Sequence, residues 1–356
     1  MKKILFFAVM LFAIGTTQVM TSCSNDDNNT PGVTLDTKAY DDELATCEAL
    51  LKAATTNDYP QVAIDAFKML VETAKEARPQ CVSQAQLDAI VKSLAEGRKA
   101  FESTAYGAIP EENVVAKWTF DTDSKSQVSE GTYKWTAVCQ KAPAIFGSNA
   151  EPKFVEGVSG KAVSVADGAH LTVSDFNSAA VLCKDFSISV WVKTSKTYAN
   201  NYIVSYNFWN NWKLQVQDQN KPFFTFASNT GIADSDNERD QSVKEGEWTH
   251  IVAALSLTQH KLAFYINGEE TKVWDAEGKP ALGGNTQAEA WKLPKTGGSL
   301  PIFIGLSTSE AAATEAWDWE WNAESLGAFF GAIDNLTFYN IALTEGQAKK
   351  LFKDKK

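Results

Sequence analysis

A change in the spacing of apolar residues near residue 110 divides this chain of 356 residues. Before it, apolar residues recur every three or four positions, which is typical of amphipathic helices. After it, short segments alternate apolar and polar residues, which is typical of β-strands with one buried face. All 11 tryptophans lie between Trp118 and Trp321, in the second part. The sequence therefore predicts a helical part followed by an all-β part.

Residues 34–108 are predicted to form three helices, in AYDDELATCEALLKAA, YPQVAIDAFKMLVETAKEA and SQAQLDAIVKSLAEGRKAFE. Their Ala, Leu, Lys, Glu and Gln residues favour helix. Pro60 is compatible with a first helical turn, and Ser83 with Gln86 matches a capping box. Three amphipathic helices of this length predict a small bundle. The segments are similar to the helical FIVAR-like modules of bacterial surface proteins, and this resemblance implies a spacer or, alternatively, a binding accessory.

At least ten short, β-branched and aromatic strands are predicted from Asn113 onward, among them VVAKWTF, FSISVWVKTS, WKLQVQD and PFFTFAS. In KLAFYINGEETKVW, Asn267 and Gly268 predict the two-residue turn of a type I′ hairpin. Because no helical run separates these strands, they predict an antiparallel sandwich.

Four stretches of residues 113–356 resemble the concanavalin A-like, laminin G-type (LamG) sandwich: KWTFD, GVSGKAVSVADGAHLTVSD, GEWTHIVAALSLTQHKLAFYINGEE and GAIDNLTFYNIALTEGQAKKLF. The expected fold is an all-β antiparallel jelly-roll sandwich preceded by a small three-helix bundle. This resemblance does not define an activity, because the same sandwich carries lectins, glycan hydrolases and adhesion modules.

The run WDWEW is the first candidate for ligand contact. In an extended segment, its three indoles lie on one side and its two carboxylates on the other. The resembled family has a short link here, and a long connection normally lies on the surface. Exposed indoles would stack on sugar rings, whose hydroxyls need carboxylates nearby. The predicted ligand-binding residues are Trp317, Asp318, Trp319, Glu320 and Trp321.

A second aromatic and amide cluster, NFWNNW, adds Trp209 and Trp212 as candidate ligand contacts. For both clusters the alternative is burial, since tryptophan is highly buried on average. WDWEW would then be an extra strand that caps the sandwich or docks the helices. NFWNNW would lie between strands of the core.

No catalytic residue is predicted. Hydrolases of the resembled superfamily place acids in an ExDxxE pattern on one strand face. Here Asp318 and Glu320 share a face, but Glu315 falls on the face opposite Asp318. His250, in WTHIV, is interpreted as a buried, hydrogen-bonded core residue rather than a catalytic base.

The resemblance also implies a structural calcium ion, because family members often hold one at the edge of the sandwich. Asp334, in AIDN, matches the recurrent aspartate of the terminal strand, and Asp121 follows KWTF. Carboxylate and carbonyl oxygens are the ligands that Ca²⁺ prefers. Alternatively, Asp334 only hydrogen-bonds a neighbouring loop.

The first 22 residues are predicted to be an export signal, since two lysines precede an apolar run too short to span a membrane. Residues 19–22, VMTS, followed by Cys23, resemble a bacterial lipobox, which implies lipidation of Cys23. An ordinary secretory signal is the alternative. Residues 23–33 are predicted to be a flexible tether, and their acidic run resembles the surface-export signal of Bacteroidota lipoproteins.

The formal net charge of −11 excludes an electrostatic footprint for nucleic acid. Four cysteines follow Cys23: Cys47, Cys81, Cys139 and Cys183. Export permits disulfides, but three pairings are possible, and free thiols are an equal alternative.

The sequence thus predicts a lipid-anchored outer-membrane protein, exposed on the cell surface, whose sandwich binds extracellular glycans without cleaving them. One alternative is an adhesion protein that binds another envelope protein. A divergent glycan hydrolase is the other.

Overall fold

The computed structural model describes residues 35–56, 58–105, 107–197, 200–206, 211–287, 301–308 and 327–355. The chain divides into two compact units, one that ends at Ala108 and one that begins at Ile109. Each unit has its own hydrophobic core. Within the described ranges, no helix is long and apolar enough to cross a membrane.

The described part of the first unit contains three α-helices: α1 (Lys38–Ala53), α2 (Gln61–Ala77) and α3 (Gln84–Glu102). Pro60 immediately precedes α2. Ser83 Oγ accepts the N–H of Gln86, but the Gln86 side chain accepts the N–H of Val82 rather than that of Ser83. One of the two bonds of the predicted capping box is therefore present. The other is made to the backbone N–H of the residue before Ser83.

The core of the bundle depends on close helix packing. The rings of Phe67 and Phe101 stack with centroids 4.5 Å apart. Gly97 of α3 faces Leu70 of α2, and a Cβ at Gly97 would overlap the Leu70 side chain. A glycine inside a helix normally weakens it. Here the absence of a side chain at Gly97 allows α3 to pack closely against α2.

The second unit is a sandwich of two antiparallel sheets, which confirms the predicted fold class. Its described residues form sixteen strands and a terminal helix: β1 (Val114–Trp118), β2 (Ser126–Val128), β3 (Thr136–Gln140), β4 (Lys153–Glu156), β5 (Lys161–Val165), β6 (His170–Val173), β7 (Asp185–Thr194), β8 (Asn201–Tyr206), β9 (Trp212–Gln217), β10 (Lys221–Ser228), β11 (Gly231–Asp236), β12 (Thr249–Ser256), β13 (Lys261–Ile266), β14 (Glu269–Asp275), β15 (Ile302–Ile304), β16 (Gly331–Tyr339) and α4 (Glu345–Asp354).

Sheet A has the strand order β14-β13-β12-β7-β16-β5-β4, and β1 also pairs with β16. Strands β5 and β1 lie end to end, because β5 pairs with the first residues of β16 and β1 with the last ones. The outer face of sheet A packs against α4, whose Leu351 joins a cluster with Val252 and Tyr265. Sheet B has the order β11-β10-β9-β8-β15-β6-β3-β2.

Large aromatic side chains fill the space between the sheets. The ring of Phe338 on β16 lies 5.5 Å from the ring of Trp118 on β1 and 5.5 Å from that of Trp212 on β9. Phe186 of β7 lies 5.4 Å from Trp212. Since Trp212 belongs to sheet B and the other three belong to sheet A, this cluster joins the two layers.

The predicted hairpin is confirmed. Asn267 and Gly268 have φ angles of 53° and 81°, and Ile266 pairs with Glu269 across the turn. The Asn267 side chain also accepts the backbone N–H of His250, which ties the turn to strand β12.

The four cysteines of the described residues are free thiols in this structure: Cys47, Cys81, Cys139 and Cys183. Of the two alternatives, disulfides and free thiols, the structure therefore has free thiols at these four positions.

Candidate functional site

Most of the predicted ligand contacts lie outside the described residues. These are Trp209, Trp317, Asp318, Trp319, Glu320 and Trp321, and the predicted lipidation site Cys23 also lies outside them.

Trp212 is described, and the prediction that it contacts a ligand is wrong. Its side chain is completely buried, and its indole N–H donates to the carbonyl oxygen of Val181 at 3.0 Å. It is the first residue of β9, and the alternation of this strand points its ring between the sheets. The aromatic and amide composition of NFWNNW suggested a ligand-binding surface, but the indole of Trp212 packs in the core.

The same alternation turns the next residue, Lys213, to the opposite side of sheet B. Antiparallel register places Ser205, Lys213, Thr225 and Asp234 directly opposite one another on β8 to β11. Residues directly opposite in adjacent strands share a face. A second row on this face, formed by Tyr202, Gln215, Phe223 and Asp236, also crosses the four strands. We call the two rows together the polar face, and its residues are Tyr202, Ser205, Lys213, Gln215, Phe223, Thr225, Asp234 and Asp236.

Burial across the polar face is graded. Ser205, Lys213, Gln215 and Thr225 are each at most 3% exposed. Phe223 and Asp236 are half-buried, and Asp234 on the edge strand β11 is exposed. The accessible part of the polar face is therefore its β11 edge, with Phe223, Asp234 and Asp236.

Lys213 is the unusual residue of this face. Its Nζ donates to Gln215 Oε1 at 2.7 Å, and it lies 4.7 Å from the ring centroid of Phe223 and 5.2 Å from that of Tyr202. Burial lowers the pKa of Lys213 to about 7, although the charge of Asp234 acts in the opposite direction. A buried lysine is costly for a fold, and strongly shifted groups of this kind are enriched at functional sites.

The acidic residues of the polar face are held in place by neighbours. The Thr225 hydroxyl donates to Asp234 Oδ1 at 2.5 Å. The Gln217 amide donates to Asp236 Oδ2 at 2.8 Å, and Lys221 Nζ lies 3.4 Å from the same oxygen. These contacts fix two carboxylates at the accessible edge, beside the half-buried ring of Phe223.

Reasoning from sequence missed this face. In WKLQVQD, the polar residues Lys213 and Gln215 alternate with Trp212, Leu214 and Val216. That pattern is also typical of an ordinary solvent-exposed face, so it gives no sign that Lys213 is buried.

The two predicted calcium ligands lie on either side of the turn between β4 and β5. Asp334 Oδ2 accepts the N–H of Val158 at 2.9 Å, and Asp121 Oδ1 accepts the N–H of Lys161 at 2.9 Å. A Cβ at Gly157 would overlap the Asp334 carboxylate, and one at Gly160 would overlap that of Asp121. Both glycines therefore let the turn approach the two acids.

Asp334 is fully buried, at a point where the register of β16 with β7 shifts. Burial raises the pKa of Asp334 to about 6, against the effect of backbone N–H groups, and the charge of Asp121 raises it further. Its Oδ1 has no hydrogen-bond partner among the described residues. Within these residues, no group of three or more His, Cys, Asp or Glu side chains could hold a metal ion. Carboxylates would therefore need backbone oxygens to complete a calcium shell.

His250 is a core residue, as predicted. It is completely buried, and its Nε2 lies 2.8 Å from Ser189 Oγ. Its ring lies 5.0 Å from that of Trp191 and 6.3 Å from that of Phe352 on α4. Burial lowers the pKa of His250 to about 3, because the surroundings disfavour the charged imidazolium.

Comparison with known proteins identifies the family. Residues 166–349 match a laminin G-type model described as the concanavalin A-like lectin/glucanases superfamily, and this match covers slightly more than half of the chain. The chain belongs to this superfamily. Comparison with curated proteins gives no match.

Three solved structures have a similar fold. Domain 4 of a GH43 extracellular arabinanase from Geobacillus stearothermophilus, in complex with arabinotriose, is 20% identical, with a TM-score of 0.46 and coverage of 67% of this chain and 98% of that chain. The binding domain of Paraclostridial Mosquitocidal Protein 1 is 15% identical, with a TM-score of 0.47 and coverage of 69% and 53%. Botulinum neurotoxin type C, whose cell entry depends on two ganglioside molecules, is 12% identical, with a TM-score of 0.47 and coverage of 69% and 52%. The chain thus spans about half the length of the two toxin chains. These likenesses concern the fold alone.

The buried state of His250 predicts a pH dependence of stability. The pKa of His250 is about 3 in the folded chain and about 6.5 in an unfolded one, so the unfolded chain takes up the proton first as the pH falls. The free energy of unfolding is expected to decrease below pH 6.5, by up to about 1.4 kcal/mol per pH unit from this residue. The His250→Gln variant should lack this contribution in urea unfolding measured between pH 7 and pH 4.

The matched control for this experiment is His260→Gln, at an exposed histidine on the loop before β13. Carboxylates contribute to the acid sensitivity of all three proteins, so the slopes are compared rather than the absolute values. Equal slopes for His250→Gln and the wild type would contradict the interpretation of His250 as a buried neutral group.

Proposed function

We propose that the sandwich is a non-catalytic carbohydrate-binding domain of an exported, lipid-anchored protein. Membership in the concanavalin A-like lectin/glucanases superfamily supports the proposal. The polar face is the single observation that carries it. A sugar ring offers apolar C–H groups on its faces and hydroxyl groups on its rim, and it needs aromatic and polar protein groups side by side.

The accessible edge of the polar face has this combination. The half-buried ring of Phe223 lies between the strands that carry Gln215 and Asp236. In the proposed complex, a sugar ring contacts Phe223, and its hydroxyls donate to the carboxylates of Asp234 and Asp236. Hydrogen bonds to charged groups contribute more than those between neutral groups. Residues 317–321 and Trp209 stay predicted additional contacts.

The proposal assigns Asp234 and Asp236, which lie on one face of β11, to accepting hydroxyl hydrogens of a bound sugar rather than to cleavage. Release of reducing sugar from a polysaccharide panel would instead favour the hydrolase alternative. A defined complex with an envelope protein, without any glycan binding, would favour the adhesion alternative.

The proposal predicts a loss of glycan affinity on substitution of the accessible edge. Asp234→Asn should weaken binding by about tenfold to a hundredfold, since it removes a charged acceptor. The measurement is affinity gel electrophoresis against a polysaccharide panel, followed by calorimetry with an oligosaccharide of the glycan retained. Val128→Ala is the matched control, because Val128 is exposed on β2 at the opposite edge of sheet B.

A second protein with Trp317, Trp319 and Trp321 all replaced by Ala tests the contacts predicted from sequence. Full retention of affinity in this protein would exclude the WDWEW segment, and full retention in Asp234→Asn would exclude the polar face. A wild-type protein that no glycan retards would contradict the proposed function itself.

We also propose a calcium ion at Asp334 and Asp121. The residues fit a cation in one respect, because Asp334 Oδ1 is buried without a hydrogen-bond partner among the described residues. When bound, Ca²⁺ would supply structural charge compensation for the two carboxylates, which lie on either side of the 157–161 turn. It has no role in the proposed sugar contacts on sheet B.

Calcium is therefore expected to raise the melting temperature of the wild-type protein, since a ligand that binds only the folded state stabilises it. The increase should disappear in Asp334→Asn and persist in Asp123→Asn, whose exposed carboxylate pairs with Lys161. Differential scanning calorimetry with EDTA or with added CaCl₂ measures both. No calcium-dependent shift in the wild type would leave Asp334 as a residue that only bonds the turn.

Lipidation at Cys23 is proposed from the resemblance of VMTSC to a lipobox. Outer-membrane anchoring and surface display both depend on this lipidation. In bacterial cells labelled with palmitate, the wild-type protein should take up label and sediment with membranes. Cys23→Ser should lose the label and the sedimentation, whereas Ser24→Ala should keep both. An unlabelled wild-type protein would favour an ordinary secretory signal.

A further inference from the structure

Side chains close the edge of the sandwich between β11 and β14. These are outermost strands of sheet B and sheet A, so among the described strands each has a partner on one side only. The indole N–H of Trp274 on β14 donates to the carbonyl oxygen of Asp236 at 2.7 Å. Lys279 Nζ donates to the carbonyl oxygen of Asp234. Donors from the edge of sheet A thus hold the strand that carries both carboxylates of the proposed sugar site.

Lys279 lies next to Trp274 because the chain reverses after β14. Asp275 Oδ1 accepts the N–H of Gly278 at 3.0 Å, and the Asp275 carbonyl oxygen accepts the N–H of Lys279 at 2.8 Å. This turn brings Lys279 Nζ to 4.6 Å from the centroid of the Trp274 ring. An ammonium close to an aromatic ring is attracted to it, so the two donors stabilise each other's position.

A third contact fixes the end of β11. Asn237, which follows the strand and is 1% exposed, donates from Nδ2 to Thr271 Oγ1 of β14 at 3.3 Å. The half-buried Trp274 side chain packs against the core between the sheets. An edge strand has unpaired backbone groups along one side, and weakly bonded segments open more readily than inner strands. The three contacts therefore act in place of a second strand partner over residues 234–237.

We infer that Trp274 and Lys279 are positioning residues for glycan binding at the β11 edge. This inference rests on the proposed function, because the two residues act through the strand rather than by contact with the sugar. A binding site that is already ordered loses less conformational entropy when its ligand binds. The hydrogen bonds to the backbone of Asp234 and Asp236 therefore raise the affinity of the site without adding a contact.

The experiment compares variants of the full mature protein. Trp274→Phe keeps an aromatic ring but has no N–H, and Lys279→Met keeps an unbranched side chain but has no ammonium. Lys272→Met is the matched control. Lys272 Nζ also lies near the Trp274 ring, 4.0 Å from its centroid, but it bonds the side chain of Glu238 instead of a carbonyl oxygen of β11.

Affinity gels with arabinan, xylan, mannan and β-glucan select the polysaccharide that retards the wild type most, and calorimetry with its oligosaccharide measures the affinity. Trp274→Phe and Lys279→Met should each weaken binding by about threefold to tenfold, the range expected for one lost hydrogen bond. Lys272→Met should keep the wild-type affinity, because a surface ion pair contributes little. Lys279→Arg, which keeps a cationic donor, should recover most of the affinity lost in Lys279→Met.

Two further measurements distinguish positioning from a general loss of structure. In NMR spectra of the wild type labelled at its tryptophan nitrogens, the indole signal that Trp274→Phe lacks should shift on titration with the oligosaccharide. The shift should saturate at the dissociation constant found by calorimetry. Without ligand, hydrogen exchange of the β11 amides should be about fivefold faster in Trp274→Phe than in the wild type, and that of the β9 amides should be unchanged.

Wild-type affinity in both Trp274→Phe and Lys279→Met would overturn the inference. An equal loss of affinity in Lys272→Met and Lys279→Met would overturn it as well, because packing at the edge in general would then be the cause. A wild type that no polysaccharide retards would contradict the proposed function and, with it, the role in binding. Unchanged exchange of β11 in Trp274→Phe would instead contradict the holding of the strand, whatever the glycan result.

Discussion

The contact of Phe338 with Trp118 and Trp212 sets the position of the surfaces described above. It joins β16 and β1 of sheet A to β9 of sheet B. Because side chains alternate along a strand, a Trp212 fixed between the sheets directs Lys213 to the opposite face. A shift of β9 by one residue would exchange these two side chains and place a charge in the core. The aromatic core therefore determines which residues form the polar face.

Burying the polar residues of this face is energetically unfavourable for the fold. Replacing buried charged groups by apolar ones of similar volume is often neutral or stabilising, so stability alone does not account for Lys213. Its aromatic neighbours compensate in part, since an ammonium near a ring face is attracted to it. The proposed function gives a further reason, which is glycan contact at the exposed edge. That contact depends on two rows of residues that sheet register brings together.

Sequence patterns located the elements well where the signal is local. Asn267 and Gly268 defined a turn, and the alternation of WKLQVQD predicted the strand that became β9. Whether a face is covered depends on distant segments, so the burial of Lys213 could not be predicted from WKLQVQD. The prediction that Trp212 contacts a ligand was wrong for the same reason, because composition alone does not distinguish an indole in a core from one at a surface. Asp121 and Asp334 are 213 positions apart in the chain, and only the family resemblance placed them at the same edge.

The pairing of β1 with β16 also has a mechanical meaning. Val114 lies opposite Tyr339, so the strand that opens the sandwich lies along the strand that closes it. Hydrogen bonds of an antiparallel pair lie across the strand direction. A force applied to the first residues of the sandwich along the direction of β1 would act parallel to both strands. The bonds between β1 and β16 would then bear that load together in shear, instead of opening one after another.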